Sequence, residues 1–132
     1  MNAITLLDNY ESENVVMYDA MKHTSIMGLF VKLQYITYKY ALNAVYLYVS
    51  GSNQTNIITE TIEKIKSIEE ELLSRISFTD KQPQYNLFLT LKKNGLKLLT
   101  NNKFISIKIT GIWIQNMCYG ISYKIIQQVA NG

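Results

Sequence analysis

The chain has 132 residues, 48% of them apolar, with a single cysteine, a single histidine and a formal net charge of +3. That is length and apolar content enough for one domain, residues 1–132, with a hydrophobic core of its own. One cysteine and one histidine exclude an intrachain disulfide and a Cys/His site for zinc or iron, so no metal or other cofactor is expected and the chain fits a reducing, cytoplasmic setting.

Charge is divided along the chain. Residues 1–80 hold all ten acids and six bases, a balance of −4, whereas residues 81–132 hold seven lysines and no acid. The acidic front and basic back can attract each other within a fold or between copies, or the basic part can face an anionic partner. Ten tyrosines supply amphipathic surface suited to contact with other molecules. The first residues show neither a basic n-region nor a sustained apolar run, so no secretory signal is expected. Ile, Asn, Lys and Tyr are abundant in the way an AT-rich coding sequence produces, and periodicity is therefore weighted above composition.

In chain order, a short helix is expected from about Ser12, which can cap it. From Ser25 to Val49 the chain is dense in Leu, Val, Ile and Tyr, while Gly28, Lys32, Lys39 and Asn43 fall near one line at helical spacing. This predicts a buried helix with a narrow wet stripe, and the lysines near mid-span argue against a membrane span. Gly51, Ser52 and Asn53 end it. Ile58, Ile62, Ile65, Ile68, Leu72 and Ile76 then recur at spacings of three and four, predicting a second helix capped by Thr55 or Asn56. Past Pro83, Leu87, Leu89 and Leu91 alternate with other residues, Asn94-Gly95 offers a type I′ turn, and Ile105, Ile107 and Ile109 alternate again. That predicts a three-stranded antiparallel meander. The rival reading winds 86–97 and 104–125 into helices. From about Ile112 to Val129 the spacing predicts a closing helix. The fold class expected is thus α+β, N-terminal helices followed by a small antiparallel β-meander and a C-terminal helix, with an all-α four-helix bundle as the alternative.

Few residues carry the makings of chemistry. His23 stands four residues after Asp19 with Ser12 or Ser25 as a conceivable nucleophile, but no spacing enforces a triad, and a helix-end histidine beside an acid is the plainer reading. Cys118 reads as a small buried hydrophobe without a partner to make a thiolate. Glu69, Glu70 and Glu71 fan around a helix and read as a solvated face. Gly-rich phosphate loops are absent. A catalytic role is not expected.

Two sets of residues remain. Tyr35, Tyr38, Tyr46 and Tyr48, with Trp113, form a candidate protein interface. Lys92, Lys93, Lys97, Lys103 and Lys108, interleaved with Phe88 and Phe104, form a candidate anion or nucleic-acid contact. On a strand, Phe104, Ser106 and Lys108 would share one face and could stack bases and touch phosphates. Against this, the chain has one arginine, the usual residue for bidentate phosphate recognition. Two helices, a hairpin near Tyr85 to Leu99 and a helix carrying Met117-Cys118-Tyr119-Gly120 resemble, in their order, small subunits of the TRAPP vesicle-tethering complex, and the resemblance implies a scaffolding role. The strand that family has after this helix, and its glycine-rich first helix, have no counterpart here. The functional expectation is a non-enzymatic, self-associating interaction or assembly subunit, with a protein partner or a second copy, and a nucleic-acid-binding module using segment 92–108 as the alternative.

Overall fold

A computed structural model describes residues 5–19, 21–23, 28–76 and 78–129. The elements are β1 (Thr5–Leu6), two 3-10 turns (Leu7–Asn9 and Ser12–Asn14), β2 (Val15–Met17), β3 (Met21–His23), β4 (Gly28–Ile36), β5 (Ala41–Leu42), β6 (Val45–Ser50), α1 (Thr55–Ser74), β7 (Gln82–Gln84), α2 (Asn86–Asn101), β8 (Asn102–Ile114) and β9 (Cys118–Val129). Among the described residues no helix is long and apolar enough to cross a membrane.

Strand β8 is the centre of one mixed sheet. Along one edge it pairs with β9 antiparallel from Asn102↔Val129 to Ile114↔Tyr119. Its other edge is shared, with β6 taking Phe104 to Ile109 and β4 taking Gly111 to Ile114. Beyond these, β1 joins β6 in parallel, β2, β3 and β5 pair with β4, and β7 joins β9 in parallel. Both helices lie on one face of the sheet: α2 packs on β8 and β9, and α1 packs on α2. The inward face presents Val31, Leu33 and Tyr35 from β4, Val45, Leu47 and Val49 from β6, and Ile105, Ile107, Ile109, Ile112 and Ile114 from β8, all buried. A register shift between Ile109 and Gly111 absorbs one extra residue, which moves the buried set from odd to even numbers without turning the strand over.

This overturns both expected architectures, N-terminal helices with a meander and a closing helix as well as the four-helix bundle. The short helix from Ser12 is a single 3-10 turn leading into β2. Residues 28–49 are not a helix but β4, a turn and β5 with β6; of the expected helix, 25–27 lie outside the described residues. The turn carries no Gly or Pro. Thr37 N–H donates to Tyr40 O at 2.9 Å, and the backbone N–H groups of Lys39 and Tyr40 donate to Thr37 Oγ1, so a hydroxyl closes it. The helix expected over the repeating isoleucines does form, as α1, burying Ile58, Ile65, Ile68 and Leu72. Asn94-Gly95 lies inside α2 instead of in a hairpin turn. A Cβ on Gly95 would stand 2.6 Å from Ile62 Cδ1, so the glycine marks where the two helices approach closely. The closing helix is the end of β8, a turn in which Gln115 N–H donates to Cys118 O at 2.8 Å, and β9. With a helix in place of the hairpin and a strand in place of the helix, the element order behind the TRAPP resemblance is gone.

Glu69 is not a solvated carboxylate. Its side chain is wholly buried and accepts the backbone N–H groups of Leu87 at 3.0 Å and Phe88 at 2.8 Å. These are second- and third-position donors of α2, whose own N-cap, Tyr85, supplies no side-chain bond, so α1 caps α2 across the helix interface. Burial raises the carboxyl pKa, opposed by the two N–H bonds. Arg75, the one arginine, ties the C-terminal end of α1 to the N-terminal segment. It holds Glu71 through two bonds of 2.7 and 2.9 Å and donates to the carbonyls of Val15 and Ser12.

Glu69→Ala strands the buried N–H of Leu87 and the part-buried N–H of Phe88 and is expected to cost about 1–3 kcal/mol in urea unfolding. Since the native pKa lies above the unfolded one, the Glu69 contribution is fully present below the unfolded value and declines as pH rises through the native value. The advantage of the wild type over Glu69→Ala should therefore be larger in mild acid than at neutral pH.

Candidate functional site

Strand alternation sends every second residue of β4, β6, β8 and β9 to the face that the helices leave uncovered. The register sets these residues in cross-strand rows. Tyr48, Ser106 and Ile126 form one row, Tyr46, Lys108 and Lys124 the next, Lys32, Gly111 and Ser122 a third, and Phe30, Trp113 and Gly120 a fourth. Phe104 extends the first end, its ring 4.5 Å from that of Tyr48. Lys108 Nζ stands 5.7 Å from the Tyr46 ring centroid.

At the opposite end two rings lie over glycines. A Cβ on Gly111 would meet Phe30 Cε2 at 2.6 Å, and one on Gly120 would meet Trp113 Cζ2 at 2.7 Å. The indole is fixed further by Trp113 Nε1 donating to Ile121 O at 3.1 Å. Hydrogen in place of a side chain is what lets these rings settle on the sheet.

No described strand contains Asp or Glu. The ten acids sit in the N-terminal turns and loop, in α1 and at Asp80. The strand residues of the outward face therefore combine Lys32, Lys108 and Lys124 with five aromatic rings, and none of them is Asp or Glu. Among the described residues no group of His, Cys, Asp and Glu is placed to hold a metal ion. Of the conceivable acid–base set, Ser12 lies in a 3-10 turn, while Ser25 and the His23 side chain fall outside the described residues. Cys118 is half-buried at the start of β9, not sunk in a helix.

The two candidate sets are redistributed by the fold. Tyr46, Tyr48, Trp113 and Lys108 come together on the outward face. Tyr35 does not: it is 2% exposed, stacked on Tyr10 at 5.9 Å, and its Oη accepts Glu11 N–H at 3.1 Å. It is a core residue because it falls on the inward phase of β4. Tyr38 stands 93% exposed on the turn after β4, apart from the rows. Lys92, Lys93 and Lys97 are exposed on α2, on the helical side of the sheet, where Lys97 borders a 480 Å³ cleft between α2 and β9 shared with Asn94, Asn101 and Gln127. Lys103 is exposed at the junction of α2 and β8. The five lysines thus form no single patch. Phe30, Lys32 and Lys124 belong to the face and were not expected there. Their signal is an alternation, Phe30-Val31-Lys32-Leu33 and Ser122-Tyr123-Lys124-Ile125, hidden by a helical reading of both segments.

No protein-family model matches the chain, and neither a curated protein nor a solved structure matches it. The face is therefore read from its own chemistry.

Gly120→Ala would push its Cβ against the Trp113 ring and to within 2.9 Å of Gln84 O. It is expected to lower stability by about 1–3 kcal/mol and to shift the emission of Trp113, the one tryptophan, measured by fluorescence and urea titration.

Proposed function

We propose that the chain is a non-enzymatic binding module that takes single-stranded nucleic acid on the outward face of its sheet. The observation that carries this reading is the joint presence of Phe104, Tyr48, Tyr46 and Trp113 with Lys108, Lys124 and Lys32 on a face to which no described strand contributes a carboxylate. Unpaired bases offer apolar faces that stack on aromatic side chains at about 1–3 kcal/mol each, and lysines between the rings answer the phosphates. A duplex fits less well, because its bases are already stacked and this face raises no helix to enter a groove.

The chain's one arginine is engaged with Glu71 and the N-terminal carbonyls, away from the face. Charge on the face is therefore supplied by lysine alone, and the binding it supports is electrostatic and tolerant of sequence. Anisotropy of labelled single-stranded oligonucleotides tests this. Affinity should fall with added salt, and Lys108→Ala or Lys124→Ala should each lower the slope of log affinity against log salt by about 0.7. A slope unaltered by both substitutions would remove the reading.

A second reading, the self-associating assembly subunit, draws on a different observation. The outer side of α2 exposes Leu89 (54%) and Leu96 (59%) among Lys92, Lys93 and Lys97, while acids gather in α1 and the N-terminal turns. Opposite charges and exposed leucines suit contact between copies. If so, light scattering should find a mass that rises with protein concentration and falls with salt, and that Leu89→Ser with Leu96→Ser returns to the monomer.

A further inference from the structure

We infer that the bound strand lies lengthwise along β8, spanning from the Tyr48–Phe104 end to the Phe30–Trp113 end, with its phosphates crossing the lysine rows between. This rests on the reading of the outward face as a single-strand site.

The placement of side chains argues for the direction. A strand laid across the sheet, from β6 or β4 through β8 to β9, would meet one row only: Tyr48, Ser106 and Ile126, or Tyr46, Lys108 and Lys124, or Lys32, Gly111 and Ser122, or Phe30, Trp113 and Gly120. Only the second of these joins a ring, Tyr46, to lysines; the rows of Tyr48 and of Phe30 with Trp113 hold rings and no lysine, so no single row offers more than one ring beside a cation. Along β8 the order is different. Rings come first at Phe104 and Tyr48, then Lys108 and Lys124 beside Tyr46, then Lys32, then Phe30 and Trp113. From Phe104 to Trp113 the strand rises about 25–30 Å at roughly 3.3 Å per residue, less the bulge. That length accommodates roughly four to six nucleotides, at the low end of what single-strand modules cover. The small residues Ser106 and Ser122 keep the floor low between the ends, and no described strand contributes Asp or Glu to the path.

The test uses unlabelled and dye-labelled oligothymidylates from two to about ten nucleotides, with anisotropy for affinity and the emission of Trp113 as a built-in sensor of one end. Affinity should climb steeply up to about five nucleotides and then flatten. Long oligomers should quench Trp113. Phe104→Ala should weaken long oligomers about tenfold, yet leave that quenching intact at saturation, because the two ends are far apart. Lys124→Ala, at an exposed side chain the fold does not use, should weaken long oligomers more than dinucleotides. Affinity that is flat from the dinucleotide upward, or Trp113 emission unchanged at saturation, overturns the lengthwise path while leaving the face as the site. Absence of binding at every length overturns the reading of the face itself. Trp113 emission that changes with protein concentration alone would put a second copy there and overturn both.

Discussion

The double pairing of β8 is the constraint on which the rest of the molecule depends. One strand of thirteen residues is hydrogen-bonded on one edge by β9 and on the other by β6 and then β4. A strand held on both sides cannot slip without reversing every side chain, so its five inward isoleucines commit the whole sheet to one buried face. The bulge near Thr110 protects that commitment. Were Thr110 held in regular alternation and not in a bulge, Ile112 and Ile114 would point outward and Gly111 and Trp113 inward, and both the core and the outward face would be lost together.

The helices answer to the same constraint. α2 leads straight into β8, and its direction is secured by the carboxylate of Glu69 from α1 and by the close approach at Gly95. Because both helices are drawn to the inward side, the layer arrangement is lopsided: one side of the sheet is sealed by apolar packing, the other is left to aromatic rings, hydroxyls and lysines. The placement of acids in α1, the N-terminal turns and loop and at Asp80 fits the same division, since no described strand carries one.

Two elements of this are legible in the residues, α1 and the first half of β8, and the rest is hidden for identifiable physical reasons. The repeating isoleucines of α1 have only one amphipathic solution, and it is the one that forms. Ile105, Ile107 and Ile109 read as a strand, and Phe104, Ser106 and Lys108 do share its other face. The helical reading of 112–129 failed because Ile121 and Ile125 are four apart, a spacing that satisfies a period of 2.0 as well as one of 3.6. Tyr119 and Tyr123 complete the inward alternation, which the aliphatic residues of the segment do not show by themselves. The stretch from 28 to 49 misled for a different reason. Its β-branched and aromatic richness is a strand signal that an AT-rich codon usage imitates, and its turn is closed by the Thr37 hydroxyl, which leaves no glycine or proline to mark it. Asn94-Gly95 shows the converse error: a pair that favours a tight turn serves, in a helix, as the gap into which Ile62 fits. Tyr35 and Tyr46 illustrate why a cluster in sequence is not a surface, for the first falls on the sealed side and the second on the open one.

The two rings seated on glycine have a thermodynamic meaning of their own. Trp113 is held by its indole N–H and by the floor of Gly120, and Phe30 by the floor of Gly111, so neither has much rotational freedom left to surrender when something settles on it. Ordering a mobile side chain at an interface costs about 0.5–1.5 kcal/mol. Here that cost has already been met in folding, by isoleucine packing on the far side of the sheet. A platform of this kind is preorganised: its grip on a ligand is set when the chain folds, and a substitution in the core that loosens β8 would weaken binding without touching the binding face.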